Sequence, residues 1–253
     1  MFLIDTHTHL FSTSFDSDRD QVVQRAMEAG VGKMLLPNID KDTIQAMLDL
    51  ADAYPESCLP MLGLHPGSVE DDFREQLAEH RAWFDRRKFY AVGEIGLDLY
   101  WRQDNLKRQQ EVFMTQVDWA LALDLPVVIH SRESCSLILD MLEALPVRGV
   151  FHCFTGSVEE TMRIVDRGMY VGLGGVITYK ANDALRSVVK NIPLDRIVLE
   201  TDSPYLAPVP YRGKRNESSY MPAVAETLCT LFGKGLDEIA ALTTANAQKL
   251  FRI

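Results

Sequence analysis

The chain has 253 residues, 47% of them hydrophobic and 25% charged, the make-up of a globular protein of one α/β barrel's size. Its net charge of -10 excludes a protein that coats nucleic acid by bulk attraction, while leaving room for a local basic patch or a cation-hungry acidic site. Cys58, Cys135, Cys153 and Cys229 form no C-x-x-C pair, and neither a signal peptide nor a run of ~20 apolar residues is evident, so a cytoplasmic protein with reduced thiols and no membrane contact is expected.

In chain order, apolar and β-branched runs predict strands at 2–6, 33–37, 58–64, 89–93, 126–129, 148–151, 169–173 and 196–201. Helical periodicity fills the gaps at 18–29, 41–53, 71–86, 105–123, 134–144, 158–167 and 182–191. Asp16 to Asp20, Asp40 and Asp42 supply N-terminal capping character, and Gly30 and Gly168 sit where helices would end. The alternation predicts a parallel α/β fold, with one domain spanning 1–253. Residues 203–220 form a long Pro/Gly/charged loop, followed by helices near 221–232 and 235–250.

The first strand leads into D-T-H-T-H-L at 5–10. Side chains at i and i+2 share a strand face, so His7 and His9 can chelate one cation. The fourth run leads into G-E-I-G-L-D at 93–98, where Glu94 would project from the strand end and bridge two cations. Asp98 is read there as a loop or helix cap. The fifth and sixth runs end in His130 and His152, and the eighth in Asp202. Cys153 alternates away from His152 and reads as a small hydrophobe. Glu200, two residues before Asp202 on the same face, reads as an interior or supporting group. His80 falls in a charged helical stretch and reads as a surface residue.

Strand ends at His7, Asn38, His65, Glu94, His130, His152, Gly174 and Asp202 are each about one βα unit apart. An open sheet would hold its outer strand ends too far apart to share one site. A closed (β/α)8 barrel gathers all eight at one mouth, so the metal reading and the barrel reading require each other. His7, His9, Glu94 and Asp202 are assigned to one divalent ion, and Glu94, His130 and His152 to a second. Two ions ~3.5–4 Å apart suit phosphodiester hydrolysis, with Asp202 accepting a proton from the attacking water. Mixed imidazole and carboxylate ligands suit zinc, manganese or iron, while magnesium prefers oxygen. Ligand softness alone does not name the metal, and magnesium, manganese and zinc are the expected candidates.

The motifs at 5–10, 63–66 (G-L-H-P), 93–98, 128–132 (V-I-H-S-R), 151–157 (F-H-C-F-T-G-S), 171–180 (V-G-L-G-G-V-I-T-Y-K) and 200–216 (E-T-D-S-P-Y-L-A-P-V-P-Y-R-G-K-R-N) together make the chain resemble the TatD family of metal-dependent hydrolases, within the amidohydrolase-like barrels. The resemblance covers essentially the whole length. It implies a (β/α)8 TIM barrel, up to two divalent metals and a deoxyribonuclease activity of the 3′–5′ exonuclease type on single-stranded DNA or RNA. It implies the same six ligands, and places His65 beside the metals in contact with substrate. Two departures touch the substrate loops: Ser218, Ser219 and Tyr220 stand where proline is common, and Gly67 stands where several members carry a bulky residue.

Arg132, Tyr205, Arg212, Lys214 and Arg215 are the expected substrate contacts, since guanidinium groups pair bidentately with phosphate. Tyr100, Trp101, Tyr205 and Tyr211 offer faces for base stacking. The expected partner is a single-stranded nucleic acid end, with no obligate protein partner. An amide or ester hydrolase on the same barrel, such as an aminoacyl-tRNA deacylase, and a catalytically silent metal-binding scaffold are the competing readings.

Overall fold

The computed structural model describes residues 1–253. Eight parallel strands alternate with helices: β1 (Leu3–Asp5), α1 (Arg19–Glu28), β2 (Val31–Pro37), α2 (Ile44–Ala53), β3 (Cys58–Met61), α3 (Phe73–Trp83), β4 (Val92–Asp98) and α4 (Leu106–Leu123). There follow β5 (Val127–Arg132), α5 (Cys135–Met141), β6 (Gly149–Phe151), α6 (Val158–Asp166), β7 (Tyr170–Leu173), α7 (Asp183–Val189), β8 (Ile197–Leu199), α8 (Met221–Phe232) and α9 (Leu236–Phe251). No helix is long and apolar enough to cross a membrane.

The ladders run β1-β2-β3 and β4-β5-β6-β7-β8. Single bridges complete the ring at both seams. Leu62 pairs with Val92 between β3 and β4, and Thr8 pairs with Ser203 past the ends of β1 and β8. Backbone bonds cross the same gaps: Gly93 N to Leu62 O (3.0 Å), Thr6 N to Leu199 O (3.0 Å) and His9 N to Ser203 O (2.8 Å). Eight strand ends therefore surround one mouth.

Alternation along each strand splits the apolar side chains into two cores. Val127, Phe151, Val171, Ile197 and Leu199 face the helical layer. Ile4, Leu35, Met61, Val128, Val150, Tyr170 and Val198 face the barrel axis, and Ala247, Leu250 and Phe251 of α9 join them. Burying each large aliphatic side chain contributes about 1.5–3 kcal/mol. Two residues beyond the axial Val128, Val150 and Val198 come His130, His152 and Glu200. The same parity that fills the barrel floor with valine thus aims imidazole and carboxylate at its mouth.

Local signals set the helix ends. The Asp40 side chain accepts from Thr43 N (3.0 Å) at the turn before α2, and Ser157 with Glu160 forms a capping box on α6. Gly30 and Gly168 do lie just past α1 and α6, with φ of 88° and 74°.

Two expectations are corrected. The fourth strand does not end at residue 93 but runs from Val92 to Asp98, and β5 continues to Arg132. Gly96 is the cause: a Cβ there would sit 1.9 Å from the His130 carbonyl oxygen, so only glycine lets the two strands stay paired this far. Glu94 and His130 therefore lie within strands rather than at their exits. His80 is fully buried, not on the surface. Its ring nitrogens lie against Gln76 O (2.7 Å) and Asn38 Oδ1 (3.1 Å), where α3 packs over the end of β2.

Candidate metal centre

The six expected ligands converge at the mouth. His7 Nε2 and His9 Nε2 lie 3.3 Å apart. Both face the Oε2 oxygen of Glu94, at 3.2 and 3.8 Å, and the Oδ1 oxygen of Asp202, at 3.8 and 3.4 Å. The other oxygen of Glu94, Oε1, faces His152 Nε2 (2.8 Å), His130 Nδ1 (2.9 Å) and His65 Nε2 (3.3 Å). One buried carboxylate thus turns its two oxygens toward two separate sets of imidazoles.

This donor set fits divalent cations. Donors bound at about 2.0–2.2 Å around a tetrahedral ion lie roughly 3.3–3.6 Å from one another, close to the spacings among His7, His9, Glu94 and Asp202. Three groups of side chains bring ligand atoms within 4.8 Å of each other: His7, His9 and Asp202; His7, Glu94 and His152; and His65, Glu94 and His130. The last group is weaker than its distances imply. His65 Nδ1 accepts the Gly67 N–H (2.9 Å), so in the neutral ring Nε2 carries the hydrogen and offers a donor rather than a lone pair. A Cβ at residue 67 would come within 3.0 Å of that nitrogen, so Gly67 keeps the contact open.

A family model described as TatD related DNase matches residues 4–252. A metal-dependent hydrolase of Bacillus subtilis, YabD, is 37% identical over 99% of both chains. A protein of Erwinia tasmaniensis named as the 3′-5′ ssDNA/RNA exonuclease TatD is 34% identical, over 99% of this chain and 100% of its own. The crystal structure of the TatD homologue YjjV from Escherichia coli superposes with a TM-score of 0.92 and 35% identity, over 99% of this chain and 98% of that one. The chain belongs to the TatD-related DNase family. It is a metal-dependent hydrolase on a (β/α)8 barrel.

The electrostatics of this TatD-family mouth call for positive charge. Burial alone would raise the Glu94 carboxyl, but the charge of His152 and the hydrogen bond from His130 hold it well below the usual range. Burial opposes a charged His152, yet Glu94 and Glu200 raise its ring well above the ordinary value. His130 is likewise raised against burial by Asp98 and Glu94. Burial lowers His7 and His65 and favours their neutral rings. Asp5 anchors this edge of the site. It is fully buried and accepts from Thr201 N (2.9 Å), Thr201 Oγ1 (2.6 Å), Ser218 Oγ (2.7 Å) and His7 N (3.3 Å).

A cavity of about 690 Å³ opens over the ligands, lined on its outer side by His65, Trp101, Arg132, Tyr205 and Leu206. The Arg132 guanidinium lies 3.9 Å from the Tyr100 ring centre and 5.4 Å from that of Trp101. Arg212, Lys214 and Arg215 lie outside this lining. Arg212 is exposed and lies 4.2 Å over the Tyr179 ring, and Lys214 lies 5.9 Å from the Tyr211 ring, which itself stacks on Tyr220. Arg215 is committed elsewhere: it forks onto Asp18 at 2.7 and 2.8 Å and donates to Ser14 O at 2.7 Å.

Asp98 is the group that the sequence reading undervalued. It does cap a turn, but its second oxygen lies 3.0 Å from His130 Nε2. The signal was available, because Glu94, Gly96 and Asp98 share one face if the strand continues. Glu200 was placed correctly inside the barrel, 3.6 Å from His152 Nδ1 and fully buried.

Proposed function

We propose that this protein is a two-cation phosphodiesterase acting at the ends of single-stranded nucleic acid. The carrying observation is Glu94, whose Oε2 and Oε1 oxygens address His7 with His9 on one side and His130 with His152 on the other. In this reading His7, His9, Glu94 and Asp202 hold one ion, and Glu94, His130 and His152 hold the other. Bound divalent ions would supply Lewis-acid polarisation of the phosphate and a lowered pKa for water. Four imidazoles among the six ligands favour zinc or manganese over magnesium.

The chain's own residues divide the remaining work. Asp202 Oδ1, 3.4 Å from His9 Nε2, belongs to a half-buried carboxylate at the mouth that takes a proton from the attacking water. His65 presents its Nε2–H to a substrate oxygen as a neutral donor. Arg132 supplies a positive charge at the cavity wall for phosphate. Trp101 and Tyr205, 72% and 55% exposed, offer faces on which unpaired bases can stack, and stacking does not depend on sequence. A protein of net charge -10 has only this local recognition to offer a polyanion.

The test is to strip the protein with a chelator, restore magnesium, manganese or zinc singly, and supply single-stranded DNA and RNA labelled at either end. Stepwise release of mononucleotides from the 3′ end is the expected result. Cleavage of aminoacyl esters with no release of nucleotide under any metal would replace this reading with the ester-hydrolase one.

A further inference from the structure

We propose that Asp98 is a positioning residue that fixes the ring of His130 and ties it to the Tyr100–Trp101 wall of the cavity. Its two oxygens are divided between these tasks. Oδ1 accepts the backbone N–H groups of Tyr100 (3.0 Å) and Trp101 (3.1 Å). Oδ2 faces His130 Nε2 at 3.0 Å. A turn cap accounts for the first oxygen and leaves the second unexplained.

The residue is held from behind as well. Gln109 of α4 accepts the Asp98 N–H with Oε1 (2.8 Å) and donates from Nε2 to Asp98 O (3.2 Å), Arg102 O (3.2 Å) and Asn105 Oδ1 (2.7 Å). Asp98 also pairs in register with Arg132, whose guanidinium covers the Tyr100 ring. Backbone, side chain and strand neighbour are all fixed, so Oδ2 has little freedom to leave His130.

The consequence is a choice of tautomer. An ionised carboxylate can only accept, so the His130 nitrogen facing it must carry hydrogen. His130 Nδ1 faces a second acceptor, Glu94 Oε1, at 2.9 Å and donates to it while no cation is bound. With Nε2 held by Asp98, Nδ1 is the nitrogen that would give up its hydrogen and offer a lone pair to a cation where the second set of metal donors converges. A carboxylate behind an imidazole ligand fixes the ring and makes it more basic, and losing it typically costs ~10–100-fold in metal affinity. This assignment rests on the metal-centre reading given above.

Asparagine at this position cannot serve both partners. If its oxygen keeps the loop amides, its NH2 group faces His130 Nε2 and demands hydrogen on Nδ1, which removes the ligand lone pair. If its oxygen turns to the ring, the Tyr100 and Trp101 amides lose their acceptor. The test has two arms. Nitrogen NMR of histidine-labelled, zinc-loaded wild-type protein should find hydrogen on His130 Nε2 and metal on Nδ1. Chelator competition should find zinc bound ~10–100-fold more weakly by Asp98→Asn, with an unchanged far-UV spectrum. Failure of the unsubstituted protein to take up zinc would overturn the metal centre itself. Zinc coordinated through His130 Nε2, or held equally tightly by wild type and Asp98→Asn, would overturn the role of Asp98 alone.

Discussion

Replacing Arg215 by alanine removes a two-pronged ion pair that fastens the 203–220 loop to the start of α1. Arg215 meets both oxygens of Asp18, donates to the Ser14 carbonyl and covers the Phe15 ring at 4.4 Å. Hydrogen bonding from Arg215, with a second contribution from Arg25, lowers the Asp18 carboxyl from 3.8 to about 2. At ~1.36 kcal/mol per pH unit that is at most about 2.4 kcal/mol for the whole cluster. The Asp18 and Arg215 side chains are 25% and 31% exposed, so solvent screening reduces the Arg215 share to ~1 kcal/mol. The sign follows from the direction of the shift. A depressed acid stabilises the fold fully above about pH 4, and that contribution fades as the pH falls toward 2. Urea unfolding followed by circular dichroism at pH 7 and pH 3 should show Arg215→Ala less stable by ~1 kcal/mol at pH 7, with a shallower loss of stability in acid. Unchanged stability and acid response, coupled with weakened nucleic acid binding, would refute the argument and return Arg215 to the substrate.

Glu94→Gln should abolish metal-dependent turnover and leave a folded protein, because it deprives both imidazole sets of their shared anion. Metal analysis alongside thermal unfolding checks this, and full metal content with normal turnover would contradict it. His65→Ala should lower kcat by about 10²–10³ while metal content stays constant, as expected for loss of one neutral donor to a developing charge. Metal analysis separates that outcome from loss of a ligand. Trp101→Ala should weaken single-stranded binding by ~1–3 kcal/mol with little effect on salt dependence. Arg132→Ala should lower the slope of log affinity against log salt by about one phosphate contact, which a salt titration reads directly.

Much of this arrangement is legible in the chain because strand parity is a strict rule. Once Val128, Val150 and Val198 are taken as axial, the positions of His130, His152 and Glu200 follow. The ring closure was legible too, since His7 and Asp202 can meet only if β1 and β8 are neighbours. The errors occurred where one residue overrode a local pattern. Gly96 lets β4 outrun its apolar stretch, so Asp98 caps the turn after the strand, as expected, and also reaches His130 in the site. His80 lies among charged residues, yet its place on the buried face of α3 is set by contact with Asn38 on another element. Arg212, Lys214 and Arg215 look alike as a basic cluster. Their separate fates depend on Tyr179, Tyr211 and Asp18, the first and last of which belong to distant parts of the chain.

The most direct test of the two-ion account is anomalous diffraction from crystals of the protein loaded with manganese or zinc. Two anomalous peaks are predicted, one beside Glu94 Oε2 among His7, His9 and Asp202, the other beside Oε1 with His130 and His152. A single peak, or metal bound away from Glu94, would contradict the bridging carboxylate from which the proposed chemistry follows.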